Sequence, residues 1–211
     1  SCDHELSTDV AAVFNELTSA TPLDSYHKLL VAPREMRKRF RFLIQREAKH
    51  AKAGRPSGIR VKMNQLQDSS LIRELYSASQ AGVPISLNVR GLCCLRPGVP
   101  GLSENIRVYS ILGRFLEHGR IYSFVNGGDP EYYIGSADWM KRNLDRRVET
   151  IAPVTEPKLK EQLEIILNVY EKDNYSSWDM QPDGSYKRLR PGKGDESLPS
   201  QQVFINLAGK K

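Results

Sequence analysis

Two short stretches carry side chains that could handle a phosphate or another anion. The first reads Glu117-His118-Gly119-Arg120, and the second runs Gly135-Ser136-Ala137-Asp138-Trp139-Met140-Lys141-Arg142-Asn143-Leu144-Asp145-Arg146-Arg147. Arginine offers a planar fork of donors to phosphate oxygens, and histidine can donate, accept or titrate near neutral pH. Pattern alone leaves a plainer alternative ahead, in which His118 is an ordinary strand-edge histidine and the arginines face solvent. Neither Gly-x-x-x-x-Gly-Lys-Ser/Thr nor Gly-x-Gly-x-x-Gly occurs, so any nucleotide is not held by those glycine fingerprints. Four scattered histidines and three cysteines without a CxxC offer no zinc spacing. Cys93 and Cys94 lack a nearby base in sequence and read as packing residues.

The elements that must position these groups are legible from periodicity. Ile59, Val61 and Met63 alternate with Arg60, Lys62 and Asn64 as in a strand. Asp68 can cap a helix running to about Gln80, with Leu71, Ile72, Leu75 and Ala78 inward and Gly82 as its stop. Ile85, Leu87 and Val89 alternate again, which predicts a right-handed βαβ crossover. Ligands of open α/β sheets gather beyond the carboxyl ends of strands, and Arg90 stands at that point. Residues 8–18 predict a short helix with Val10, Val13, Phe14 and Leu17 on one side, broken at Thr21-Pro22. Leu29-Leu30-Val31 is a short apolar run, and a long helix follows with Met36, Phe40, Leu43, Ile44 and Ala48 as its buried stripe. Residues 121–125, 132–135 and 147–154 read as strands. Thr155 caps a last helix with the stripe Leu159, Leu163, Ile166 and Tyr170. Gln181-Pro182-Asp183-Gly184 suits a hairpin, and residues after Arg190 read as a mobile tail dispensable for the fold.

The bulk numbers exclude several classes. With 211 residues, 39% hydrophobic and 27% charged, the chain suits one core with appendages, and no stretch is apolar enough to span a membrane. Its polar start, Ser1-Cys2-Asp3-His4-Glu5, is not a signal peptide. An odd cysteine count with two adjacent cysteines points to a reducing compartment. The net charge of +6 makes an anionic partner plausible. Eleven of the basic residues fall between Arg34 and Lys62, against only Glu35 and Glu47. That run is either a solvated helix face or a polyanion-binding surface.

The wording of the motifs narrows the choice. His118-x-Arg120 followed by Gly135-Ser136-x-Asp138 resembles half of a phospholipase D superfamily site, usually His-x-Lys-x4-Asp and then Gly-Ser-x-Asn. Arg120 replaces the Lys, and Val125 stands where the Asp is expected. Arg90-Gly91-Leu92-Cys93-Cys94-Leu95-Arg96-Pro97-Gly98, Gly101-Leu102-Ser103-Glu104-Asn105-Ile106-Arg107, Phe115-Leu116-Glu117-His118 and Ser136-Ala137-Asp138-Trp139-Met140-x-Arg142-Asn143 together resemble the polyphosphate kinase family, over roughly residues 8–190. The resemblance implies an α/β fold, a phospholipase D-like mixed sheet flanked by helices. Residues 1–29 would end a preceding phospholipase D-like catalytic domain, 30–175 would form a second, and 176–211 a hairpin and flexible tail. It also implies reversible transfer of the ATP γ-phosphoryl group to inorganic polyphosphate, through a phosphohistidine upstream of residue 1. Arg90, His118 and Arg147 correspond to contacts with ATP. Arg120, Asp138 and Arg142 join them on motif position, with His118 the catalytic candidate. Magnesium ligands are expected outside this chain, and the stretch alone is expected to be inactive. The implied partners are ATP or ADP and polyphosphate, with no specific nucleic acid, and the implied full-length enzyme is a cytoplasmic homo-oligomer, or one peripheral at the membrane. The rivals are a phospholipase D-type phosphodiesterase, disfavoured by Val125 and the lack of a second His-x-Lys, and a nucleic-acid-binding module.

Overall fold

Apolar residues at every second position need a face to bury, and residues 59–63 and 85–89 find theirs at the centre of one sheet. The computed structural model describes residues 3–19 and 25–209. Strands β1 (Leu30–Ala32), β2 (Ile59–Met63), β3 (Ile85–Val89), β4 (Ile106–Ile111), β5 (Ile121–Phe124), β6 (Glu131–Gly135), β7 (Glu149–Val154), β8 (Ser177–Met180) and β9 (Tyr186–Arg188) pair in the order β1-β7-β6-β5-β2-β3-β4-β8-β9. β2, β3 and β4 run parallel, and all other pairings are antiparallel. This is the expected mixed α/β sheet. The helices are α1 (His4–Ser19), α2 (Met36–Lys52), α3 (Ser69–Gln80), α4 (Lys141–Arg146), α5 (Pro157–Glu171) and α6 (Ser200–Ala208).

α2 forms as its stripe requires. Met36, Phe40, Leu43 and Ile44 are fully buried, and Phe40 packs with Tyr122 and Trp139. Glu47 interrupts that stripe and is also fully buried. A buried carboxylate persists only when its oxygens are satisfied, and Glu47 accepts from the Gly58 and Asn126 amides at 3.1 and 3.0 Å. It thereby ties α2 to the start of β2 and the end of β5. α3 is capped as expected, with the Asp68 carboxylate accepting from Leu71 N at 2.9 Å.

Part of the basic run of α2 is spent on the fold itself. Arg37 bridges Asp68 and Asp145, Arg41 meets Glu74, and Arg46 forms a two-pronged pair with Glu131 at 2.9 Å. These contacts favour the solvated, ion-paired reading of the run over a continuous polyanion surface. Burial by itself would raise the Glu131 carboxyl, but the Arg46 fork and the Tyr133 hydroxyl outweigh it and hold the group below its ordinary value. A carboxyl that releases its proton more readily when folded contributes stability above its unfolded pKa and loses it as pH falls through the folded value. Arg46→Met should therefore lower the melting temperature at pH 7. The gap to wild type should narrow as the pH of the melts falls below the ordinary glutamate range and Glu131 takes up a proton.

Several expectations change. α1 begins at His4, earlier than expected, and it buries Asp9, Ala12 and Val13, while Val10, Phe14 and Leu17 are exposed. Its buried Asp9 accepts from the amides of His27, Lys28 and Leu29, which pins the helix along the start of β1. The expected break at Thr21-Pro22 lies outside the described residues. Thr155 does not cap α5: Glu156 occupies that position without a side-chain bond, and Pro157 supplies the preset first turn. Of the expected α5 stripe, Tyr170 is buried and Leu163 and Ile166 are half-buried, but Leu159 is exposed and Leu167 is buried instead. β4 and α4 were not anticipated.

The tail differs most. Residues 200–208 form α6 rather than a mobile end. Ser200 N donates to the buried Asp173 carboxylate at 2.7 Å, and the Phe204 ring meets Tyr170 at a centroid distance of 5.0 Å.

Candidate anion site at the carboxyl edge of the sheet

Strand direction decides where the candidate residues meet. The parallel strands β2, β3 and β4 end at one edge. β5 and β7 run the other way, so they begin there, opposite Lys62 and Gly135 respectively. Arg90 follows β3, His118 and Arg120 precede β5, Asp138 follows β6, Arg142 lies on α4, and Arg147 precedes β7. All six sequence candidates thus emerge at a single edge, although 57 residues of chain separate Arg90 from Arg147. Val125 sits at the opposite end of β5, against Gly58.

The loops at this edge are stitched to one another by backbone bonds. Leu66 N donates to Leu92 O, Cys94 N to Leu66 O, and both Gln67 N and Asp68 N to Trp139 O, all at 2.8–2.9 Å. Trp139 is fully buried between Phe40 and Tyr122, so the segment that follows Asp138 is anchored in the core. Gly135 comes so close to Thr150 and Ile151 of β7 that any Cβ would collide with them.

Below the surface of the edge lies a polar layer. Arg120 Nε and Nη2 reach the two Asp138 oxygens at 2.9 and 3.0 Å, and both side chains are nearly buried. Asp138 also accepts from Asn64 N at 2.7 Å. Glu149 is engaged by Ser136 Oγ and by Asn143 Nδ2. Asp138 and Arg120 therefore satisfy one another, and they hold the ends of β2, β5 and β6 together. The sequence does not show this division of labour, because a buried and an exposed arginine look alike in it.

Lys62 is the group that the sequence reading missed. It is 2% exposed and its Nζ donates to Gly119 O at 2.9 Å, with Glu117 Oε2 at 3.6 Å and the Tyr170 ring at 5.3 Å. Burial drives its ammonium below the ordinary lysine value, Glu117 opposes that, and the nearby charges of Arg90 and Arg120 add to the depression. Alternation predicts that Arg60, Lys62 and Asn64 share a face. The available signal was the parallel strand itself, since parallel strands are covered on both faces and force their polar residues to find partners.

Above that layer the cations are open. His118 is exposed, and its backbone carbonyl, not its imidazole, takes the bond from Arg120 Nη1 at 3.2 Å. Arg142 is exposed on α4. Arg147 is half exposed, with only a long 3.9 Å approach to Glu149. Arg90 is half-buried and borders a cavity of about 280 Å³ with Trp178, Tyr186, Ser110 and Leu112. A larger cavity of about 520 Å³ opens at the opposite edge, where Arg60 and Arg107 are already paired with Glu171, Glu164 and Asp179. Arginines and an imidazole emerging at one edge are side chains of the kind that can meet a multiply charged anion. The edge does not fit a divalent cation, because its buried carboxylates, Asp138 and Glu149, are consumed by Arg120, Asn64, Ser136 and Asn143. Among the described residues no cluster of three or more metal-ligating side chains occurs.

Comparisons with known proteins agree with the fold and the motifs. A family model described as "Polyphosphate kinase C-terminal domain 2" matches residues 29–201. The curated polyphosphate kinase of Thermosynechococcus vestitus is 54% identical over 209 residues, covering 97% of this chain and 28% of that protein. That of Pseudomonas aeruginosa is 51% identical over 203 residues, covering 96% and 29%. The chain thus spans under a third of the length of these relatives. The crystal structure of polyphosphate kinase from Porphyromonas gingivalis superimposes with a TM-score of 0.93 at 37% identity, covering all of this chain and 32% of that one. Nuc, a phospholipase D family member from Salmonella typhimurium, shares the fold at a TM-score of 0.50 and 13% identity, covering 73% of this chain and 97% of its own. No described helix is long and apolar enough to cross a membrane. With a family model spanning most of its length and relatives above 50% identity, the chain belongs to the polyphosphate kinase family, in the region of that family's C-terminal domain 2.

Proposed function

We propose that the carboxyl edge binds the phosphates of ATP and the end of a polyphosphate chain during reversible transfer of the γ-phosphoryl group. The observation that carries this reading is the convergence of Arg90, His118 and Arg147 on one edge through strand direction alone. Arg90 and Arg147 act as forks on phosphate oxygens, and the exposed His118 imidazole contacts the same group. Arg142 adds an exposed positive charge on α4. Arg120 and Asp138 serve by holding the three strand ends in place rather than by touching phosphate. In the forward direction the γ-phosphorus–oxygen bond of ATP breaks, ADP leaves, and a histidine outside this chain takes the phosphoryl group. A terminal polyphosphate oxygen then displaces that histidine. Both steps spread negative charge over the transferred group, which fixed cations stabilise. Any magnesium would be held by residues outside this chain. On this reading residues 1–29 close a preceding phospholipase D-like domain bearing that histidine, while 30–175 form the present one and 176–211 extend it.

The test has two arms. The isolated chain should make no polyphosphate from ATP, and protein-dependent turnover by it would overturn the placement of the phosphorylated histidine. It should nonetheless bind polyphosphate more tightly than DNA of equal charge at matched salt, with both affinities falling as salt rises. Equal affinity for the two polyanions would favour a non-selective basic module instead.

A further inference from the structure

The loop 112–120 carries His118 but has no regular structure of its own, and Leu112, Phe115 and Leu116 are exposed along it. Its ends are tied down by Leu112 N on Ser176 O and by Lys62 and Arg120 on the Gly119 and His118 carbonyls, and the stretch between them is held by a side chain on the last helix. The Gln201 amide makes a reciprocal pair with the backbone of Phe115: Phe115 N donates to Gln201 Oε1 at 2.9 Å, and Gln201 Nε2 donates to Phe115 O at 2.8 Å. The same Nε2 donates to Glu117 Oε1 at 2.9 Å. Glu117 passes the connection inward, since its Oε2 accepts from Tyr170 OH at 2.5 Å and faces Lys62 Nζ. Gln201 is 8% exposed and lies directly over Gly113, where any Cβ would collide with its amide. Its own position is set by Asp173, which is 1% exposed and accepts from Ser200, Tyr175 and Ser176 amides.

We propose that Gln201 is a positioning residue for His118: through one amide, α6 latches the loop that presents the imidazole. The inference rests on the reading of His118 as a phosphate contact. A primary amide can pair with a peptide group as one strand pairs with another, so the latch supplies the bonds that the loop lacks. Gly113 leaves the space for it.

The variant to make is Gln201→Met, which keeps length and bulk but removes all three bonds. It belongs in a full-length polyphosphate kinase carrying this domain, beside His118→Gln and Gly113→Ala, which disturbs the amide from the other side. Hydrogen exchange at Phe115 N and the following amides should speed up by about tenfold or more in Gln201→Met and Gly113→Ala. Turnover should fall by about tenfold, with the KM for ATP within about twofold, because the histidine is misplaced rather than removed. Unchanged exchange in both variants would overturn the latch. Faster exchange with wild-type kcat, while His118→Gln is impaired, would overturn its positioning role. If His118→Gln is itself fully active, the site assignment of His118 falls, and exchange still reports separately whether the latch exists.

Discussion

Asp138→Ala should cost the fold about 3–5 kcal/mol, because it leaves Arg120 nearly buried without its counter-charge. The Asn64 amide loses its acceptor in the same step, and a buried donor left unpaired adds its own desolvation penalty. For a chain of this size a loss of that order lowers the melting temperature by roughly 6–20 °C. The comparison that gives the number meaning is Arg120→Met combined with Asp138→Leu. Replacing both partners by apolar side chains removes the stranded charge, so the double variant should recover much of the loss. Urea unfolding of Arg120→Met, Asp138→Leu and the double variant supplies the cycle, with Asp138→Ala measured beside them. A loss under about 1 kcal/mol in Asp138→Ala would mean that Arg120 finds solvent, and the buried layer would no longer explain why the strand ends stay together.

Arg90→Ala and Arg147→Ala should behave in the opposite way, with large kinetic defects and little change in stability. A charge-assisted bond to phosphate is worth roughly 1.5–3 kcal/mol, which is about one to two powers of ten in kcat/KM. Neither arginine supports the fold strongly: Arg147 is half exposed and its ion-pair distance to Glu149 is 3.9 Å. Arg→Lys should rescue only part of the activity, since a point charge cannot reproduce the two-pronged geometry. Kinetics and thermal melts on the same preparations of a full-length enzyme carrying these changes decide the matter. Full activity in either alanine variant, or unfolding without a specific kinetic defect, would remove that residue from the site.

The contrast between these two predictions marks how far the sequence could be read. Motif wording and strand period place Arg90, His118, Arg120, Asp138 and Arg147 at one edge, and the central βαβ unit forms as alternation requires. What alternation cannot supply is depth. Lys62 and Arg60 share one face of β2, yet one is sealed beneath Gly119 and Tyr170 while the other pairs with Glu164 and Glu171 on α5. The same limit hid the role of Arg120, whose fork is filled by Asp138 before any ligand arrives. Polar composition after Arg190 suggested a free end, because the bonds that fix α6 come from Asp173 and the loop 112–120, which are distant in sequence.

The two margins of the nine-stranded sheet are short and closed. β1 has three residues, and α1 lies along its start through Asp9, whose carboxylate takes up three successive amides. β9 also has three residues, with Lys187 exposed and Arg188 bent back onto the Tyr175 carbonyl. Long, flat, apolar margins invite a foreign strand to add on, and short or cationic ones discourage it. The folded sheet is thus a poor template for a foreign strand, and a neighbour is expected to dock against loops and helices rather than extend it.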